Sequence, residues 1–278
     1  MYNIPAFFKS VTVGSEPAHG GGGESVQHEL PNLLTVVNQY LGGTSVGDFL
    51  HKWENVIFSL IVIGILVLIA RLASRNPQMV PRGLQNVTEM VVEELEKFIV
   101  GVIGPQGRKF VPFLGTLFLY ILFMNFAGLV PLMKASTSSV NTTIALALCV
   151  FFYVQFTALR ENGIVGYVDH LMGQPRTALQ WAFVPLMLPI HVIGELAKPL
   201  SLSLRLFGNV TGEDILILIF VGLGVTVLSF THLPVGIPLQ VPFIFLALLT
   251  SFIQALVFML LSTIYFALML PHEEGEHH

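Results

Sequence analysis

The chain has 278 residues, 54% of them hydrophobic and only 11% charged, with a mean hydropathy of +0.76. Those values place it among polytopic membrane proteins and away from the soluble and disordered classes. A net charge of −4 offers nucleic acid no basic surface, and a single cysteine, Cys149, leaves no disulfide to form within the chain.

Residues 1–50 read as a flexible external arm, with Ser15-Glu-Pro-Ala-His-Gly-Gly-Gly-Gly-Glu-Ser as a linker. No basic region followed by an apolar core precedes it, so no cleavable signal peptide is expected, and His19 and His28 read as solvated. Residues 51–82 form the first transmembrane helix and its basic end. The apolar run from Val56 to Ala70 lies between the interfacial anchors Trp53 and Arg71. Arg71, Arg75 and Arg82 put that end in the cytoplasm and the N-terminus outside. Residues 83–109 are too polar to span. Leu84, Val87, Met90 or Val91, Leu95, Phe98 and Val102 share one face, and Glu89, Glu93, Glu96 and Lys97 lie elsewhere, the pattern of an amphipathic surface helix.

Residues 110–160 form a transmembrane hairpin, with uncharged spans over 110–132 and 135–159 between Arg108-Lys109 and Arg160. Its link, from Pro131 to Asn141, is then external. Cys149 reads as a small packing residue. Asn125, inside the first span, is either an inter-helix hydrogen bond worth about 0.6 kcal/mol or part of a wet path. A cytoplasmic loop is expected over 161–178, where Glu161, Asp169, His170 and Arg176 gather. Residues 179–271 carry no charge after Asp214 and read as two long helices interrupted near His232-Leu-Pro-Val-Gly-Ile-Pro238. A helix over 190–230 would extend roughly 60 Å at 1.5 Å per residue, against a hydrocarbon core of about 30 Å, so it must tilt steeply. Pro185, Pro189 and Pro199 are expected to kink its first half. The tail, 272–278, reads as a solvated cytoplasmic end. The fold class is all-α: five membrane-embedded helices and one amphipathic surface helix.

One stretch sets the chemistry. On a helix at 100° per residue, His191, Glu195, Lys198, Arg205, Asn209 and Glu213 fall on one face, beside a strip of Gly194, Ala197, Ser201, Gly208 and Gly212. An arginine at a helix centre costs about 2.5–3.5 kcal/mol on insertion scales. Snorkelling to the interface accounts for Lys198 or Glu195 alone, but not for Arg205, whose neighbours on both sides are apolar or small. A polar stripe beside a small-residue strip describes a helix that lines a wet path while another helix passes close to it.

Lys198-Pro-Leu-Ser-Leu-Ser-Leu-Arg205-Leu-Phe-Gly-Asn209 resembles the signature of subunit a of the F-type ATP synthase. Asn125-Phe-Ala-Gly-Leu-Val-Pro131, Asn141-Thr-Thr-Ile-Ala-Leu-Ala-Leu and Gln254-Ala-Leu-Val-Phe-Met-Leu are similar to that family's other segments and stand in the same order, so the resemblance covers roughly residues 55–270. It implies a proton-translocating stator in a bacterial inner membrane, with the last two helices tilted against a ring of subunit c. It further implies contacts with peripheral stalk subunit b, no catalytic site on this chain, and no cofactor or metal. It gives Arg205 the role of switch for the ring carboxylates and of leak barrier. His191, Glu195 and Lys198 then belong to a cytoplasmic half-channel. Asn209, Glu213 and Asp214 belong to an outer one, Gln254 faces the arginine, and Thr250 and Ser251 extend its wet face.

Two departures stand out. Where the family has a glutamate fourteen positions before the arginine, this chain has His191, so Glu195, one turn on, is expected to serve. Where it often has a histidine or acid seven positions before the glutamine, this chain has Ala247. The outer relay then rests on Glu213, Asp214 and water, or on His232. Counting from Arg205 matches the family's outer acid to Asp214, whereas the helical wheel puts Glu213 on the arginine's face. An ion-coupled secondary transporter is the alternative class, but it predicts internal repeats that the sequence lacks. A membrane anchor leaves Arg205 without a role, and no nucleophile–base pair or HExxH motif supports an intramembrane enzyme.

Overall fold

A computed structural model describes residues 53–75, 78–79, 81–130, 133–173, 178–229 and 238–270. The arm over 1–50, His232 and the tail over 272–278 lie outside the described residues. The architecture is all-α: α1 (Glu54–Ser74), α2 (Leu84–Ile103), a 3-10 turn (Pro105–Phe110), α3 (Val111–Leu129), a second 3-10 turn (Ser136–Ser138), α4 (Val140–Leu171), α5 (Ala178–Ser229) and α6 (Val241–Met269). Among the described residues five helices, all but α2, are long and apolar enough to cross a membrane.

Backbone groups in hydrocarbon must be satisfied within the segment, which is why the apolar runs emerge as continuous helices. The core forms where α3, α4, α5 and α6 meet. On α6 the buried positions Ala247, Ser251, Gln254, Ala255, Phe258, Ser262, Phe266 and Met269 recur at steps of three and four, the stripe a helix presents to its neighbours. Buried hydroxyls on that stripe are satisfied by their own helix: Ser262 Oγ donates to the Phe258 carbonyl and Thr263 Oγ1 to that of Met259, each at 2.8 Å. Aromatic rings close the Met269 end of the bundle. Phe266 stacks on Phe110 at 4.5 Å, and Tyr153 meets Phe113 and Phe266 edge-on at 4.6 and 5.3 Å.

The Glu54 end is held by polar groups. Lys134 Nζ lies 3.8 Å from a Glu54 carboxylate whose side chain is only 6% exposed, Ser136 Oγ donates to the Asn55 carbonyl at 2.6 Å, and Ser59 shares a 2.6 Å hydrogen bond with Tyr120. At the last turn of α3, a Cβ on Gly128 would sit 2.7 Å from Cβ of Ala135, so the two segments approach as closely as glycine allows.

Two expectations change, over residues 161–171 and at Cys149. The 161–178 region is not a loop from its start: α4 stays helical to Leu171, broken at Gly163, whose φ of 68° and ψ of 172° only glycine adopts without strain. Glu161 and Asp169 sit on helical turns flanking that break, where side chains reach water without ending the helix. Helix α5 runs unbroken through Pro185, Pro189 and Pro199 for 52 residues, roughly 78 Å, so the prolines interrupt hydrogen bonds without ending it. Cys149 is exposed rather than packed, because it shares the outward face of α4 with Leu148, Phe152 and Phe156. Only the second half of α2's apolar face is covered: Leu95 and Ile99 are buried, while Leu84, Val87 and Met90 are exposed. On its polar face Glu93 and then Glu94 raise the Lys97 ammonium above its ordinary range, in water, where such pairs add little stability.

Burial separates residues that composition treats alike. Phe266→Ala should destabilise the chain in detergent or lipid by about 2–3 kcal/mol. This is below the usual soluble-core cost, because lipid is as apolar as the core and only packing is lost. Phe245→Ala, on the exposed face of the same helix, should leave unfolding unchanged within about 0.5 kcal/mol. Equal losses for the two would contradict the packing of α6.

Candidate functional site

The polar stripe of α5 faces inward at two places, and α6 runs antiparallel to it there. Asn209 Nδ2 donates to Gln254 Oε1 in a short hydrogen bond. Four residues on, Ser251 Oγ donates to Glu213 Oε2 at 3.2 Å. The close helix approach expected at the small-residue strip is absent here: a Cβ on Gly208 or Gly212 would meet nothing within 4 Å, and a cavity of about 440 Å³ opens between the helices instead, lined by Asn209, Glu213, Ala247, Thr250 and Gln254 among others. Thr250 donates its hydroxyl to the Leu246 carbonyl at 3.0 Å while lining that space. Gln254 Nε2 is buried with no protein partner among the described residues. Glu213 lines the cavity and Asp214, half-buried, does not.

Seven residues before Arg205 a second cluster forms. Glu195 and Lys198 pair one turn apart, their side chains only 15% and 23% exposed. Gln155 Nε2 on α4 donates to Glu195 Oε2 at 3.1 Å, Tyr167 OH donates to Gln155 Oε1 at 2.7 Å, and Lys198 Nζ sits 5.4 Å above the Tyr265 ring. Tyr265 is within electrostatic reach of both Glu195 and Arg205. The space these groups enclose is about 10 Å³, room for no more than about one water. His191 is exposed, and its Cε1 lies 3.3 Å from where a Cβ on Gly173 would be. Glu195 turns its two oxygens to Gln155 and Lys198.

Arg205 stands between the two clusters on an exposed surface of α5, next to exposed Leu204, with Leu202 and Leu206 buried behind it. Asn125 belongs elsewhere: it accepts a 2.8 Å hydrogen bond from Thr137 and does not line the α5–α6 cavity.

Residues 56–267 match the family described as ATP synthase A chain. The chain belongs to that family. Among relatives named ATP synthase subunit a, that of Protochlamydia amoebophila is 51% identical over 89% of this chain and 91% of its own length. That of Solidesulfovibrio magneticus is 44% identical over 87% and 98%, and that of Nitratidesulfovibrio vulgaris 41% over 84% and 91%. The ATP synthase A chain match takes in all six stripe residues, the whole of α6's polar face and Asn125.

Sequence reasoning missed Gln155, Tyr167 and Tyr265. Gln155 left a signal, an amide inside an otherwise uncharged span. The tyrosines left none, since their place depends on the break at Gly163 and on the register of α6.

The cavity should admit water-soluble reagents. With Cys149 replaced by serine to remove the exposed native thiol, Gly212→Cys should react with a small charged thiosulfonate in membranes. Leu206→Cys, at a fully buried position, should not. Equal labelling at both positions would mean that the cavity is not a specific water-filled opening.

Proposed function

We propose that this chain translocates protons between two offset half-channels by way of a carboxylate on each subunit of an adjoining c ring. The observation that carries the reading is the placement of Arg205, exposed on α5 with one polar cluster on either side of it along the helix. A carboxylate turned to lipid is driven to its neutral form by desolvation. Opposite a fixed cation it favours the charged form and releases its proton. Guanidinium suits that post because it stays protonated, whereas a buried lysine can lose its charge. The same cation repels a proton that would pass directly from one cluster to the other. The transmembrane potential supplies about 2.3 kcal/mol per charge per 100 mV.

In this reading the Asn209–Gln254, Glu213 and Ser251 cluster with its cavity is the outer half-channel, with Thr250 at its wall and Asp214 beside it. His191, Glu195 and Lys198 form the cytoplasmic one. The exposed apolar residues Leu196, Leu200 and Leu204, next to the arginine, give the ring its bearing surface. The uncovered end of α2 suits a peripheral stalk helix such as subunit b. Asn125, locked to Thr137, is given a structural role.

The arginine is the direct test. Arg205→Ala and Arg205→Lys should each reduce ATP-driven proton pumping in inverted vesicles at least about a hundredfold, the equivalent of roughly 2.7 kcal/mol, with assembly retained. Pumping at the normal rate by Arg205→Lys would end the switch argument.

Orientation follows from Arg71, Arg75 and Arg82: the N-terminus outside, the C-terminus in the cytoplasm of a bacterial inner membrane. Single cysteines near His19 and Glu274 should be labelled from opposite sides by an impermeant maleimide. Labelling of both from one side would refute that topology.

A further inference from the structure

The Glu195 carboxylate is held from a direction that the stripe on α5 does not supply. One oxygen takes the Lys198 ammonium, from its own helix. The other takes the amide of Gln155, from α4, at 3.1 Å. Gln155 in turn accepts the Tyr167 hydroxyl at 2.7 Å. An amide has a donating and an accepting end, and here each end is committed. Reversing it would set Oε1 against a carboxylate oxygen, which cannot donate.

Tyr167 reaches Gln155 only because of the helix break. Twelve residues along a straight helix are about 18 Å apart, farther than the two side chains can bridge. At Gly163, φ 68° and ψ 172° fold the end of α4 back toward its own middle. The two residues just before the turn are fastened to separate elements: Lys109 pairs with Glu161 at 2.5 Å, and Asn162 Nδ2 donates to the Met269 carbonyl at 2.8 Å, at the end of α6. The bend is therefore held before Gly163 by these two contacts and after it by the Tyr167–Gln155 hydrogen bond.

We infer that Gln155, oriented by Tyr167 across the bend at Gly163, is a positioning residue that sets the Glu195 carboxylate for proton transfer. The inference rests on the assignment of Glu195 to the cytoplasmic half-channel. It accounts for how an acid at position 195 serves where His191 occupies the place of the family's glutamate: the bracket supplies a second, inter-helix donor that fixes the carboxylate's direction. With room for only about one water beside it, a carboxylate free to rotate would break the path. The charged and titratable groups around Glu195 are Lys198, His191 and Arg205 on α5, Tyr265 on α6 and Tyr167 on α4. Gln155, beside them, is an amide and does not titrate.

The test is a double-mutant cycle on ATP-driven proton pumping in inverted vesicles of the whole synthase, read by quenching of an acridine dye and normalised to assembled complex. Gln155→Leu should slow pumping about fivefold, the net size of one typical lost hydrogen bond. Tyr167→Phe, which removes a single oxygen, should slow it about twofold. In a Glu195→Gln background neither change should slow pumping further, because both act through that carboxylate. The same cycle on Tyr167→Phe decides the matter if Gln155→Leu assembles poorly. Normal pumping by the assembled Gln155 and Tyr167 variants, or losses that multiply with that of Glu195→Gln, would overturn the bracket and leave the half-channel standing. Normal pumping by Glu195→Gln alone is a different failure, which removes Glu195 from the path and the bracket with it.

Discussion

Everything in this molecule turns on a charge that cannot be discharged and a surface that cannot solvate it well. A guanidinium on an apolar face is tolerated only if the groups around it give it a purpose and the scaffold keeps it from drifting toward water. Helix α5 meets the second condition by its length and by burying Leu202, Leu206 and Val210 behind the arginine. Asn209–Gln254 on one side and Lys198 over Tyr265 on the other then fasten α5 to α6 within two turns in each direction. The polar contacts do little for net stability in lipid, where inter-helix hydrogen bonds average well under 1 kcal/mol, about 0.6. Their effect is on register, which a purely apolar contact between two such helices would leave free to slip.

Most of the fold was legible because membrane helices obey one strict rule, and hydropathy reads that rule directly. The stripe on α5 was legible for a related reason: six polar residues with helical spacing in apolar surroundings would be too costly for a helix that faced only lipid. The wheel put Glu213 rather than Asp214 on the arginine's face, and of the two Glu213 lines the cavity. What hydropathy did not carry was anything set by a break in periodicity. Residues 161–171 looked like a loop because they are charged, yet they are helical, and the real interruption is one glycine whose dihedrals no composition measure registers. Pro185, Pro189 and Pro199 do not end α5, since a helix can lose single hydrogen bonds and continue when neighbouring helices hold it.

Buried polar contacts between helices were the least legible part. Gln155 with Glu195, Tyr167 with Gln155, Lys134 with Glu54 and Ser136 with Asn55 each join residues between 12 and 81 positions apart. No local spacing encodes them. They depend on how α1, α4 and α5 pack against their neighbours and on the bend at Gly163, which are set by the shapes of apolar faces and by local dihedrals, and sequence periodicity gives only the direction of those faces.

The approach of Gly128 to Ala135 bears on how this chain can change over time. A methyl at 128 would need the methyl at 135 to retreat, and alanine has no rotamer through which to do so. The only compensating substitution is a glycine at 135, which would then free position 128 to become alanine and nothing larger. Two sites thus share a single methyl group between them. Covariation, the usual trace of a contact in a family's history, has almost no alphabet here, and the contact should be written as near-invariance of the glycine in Asn125-Phe-Ala-Gly-Leu-Val-Pro131.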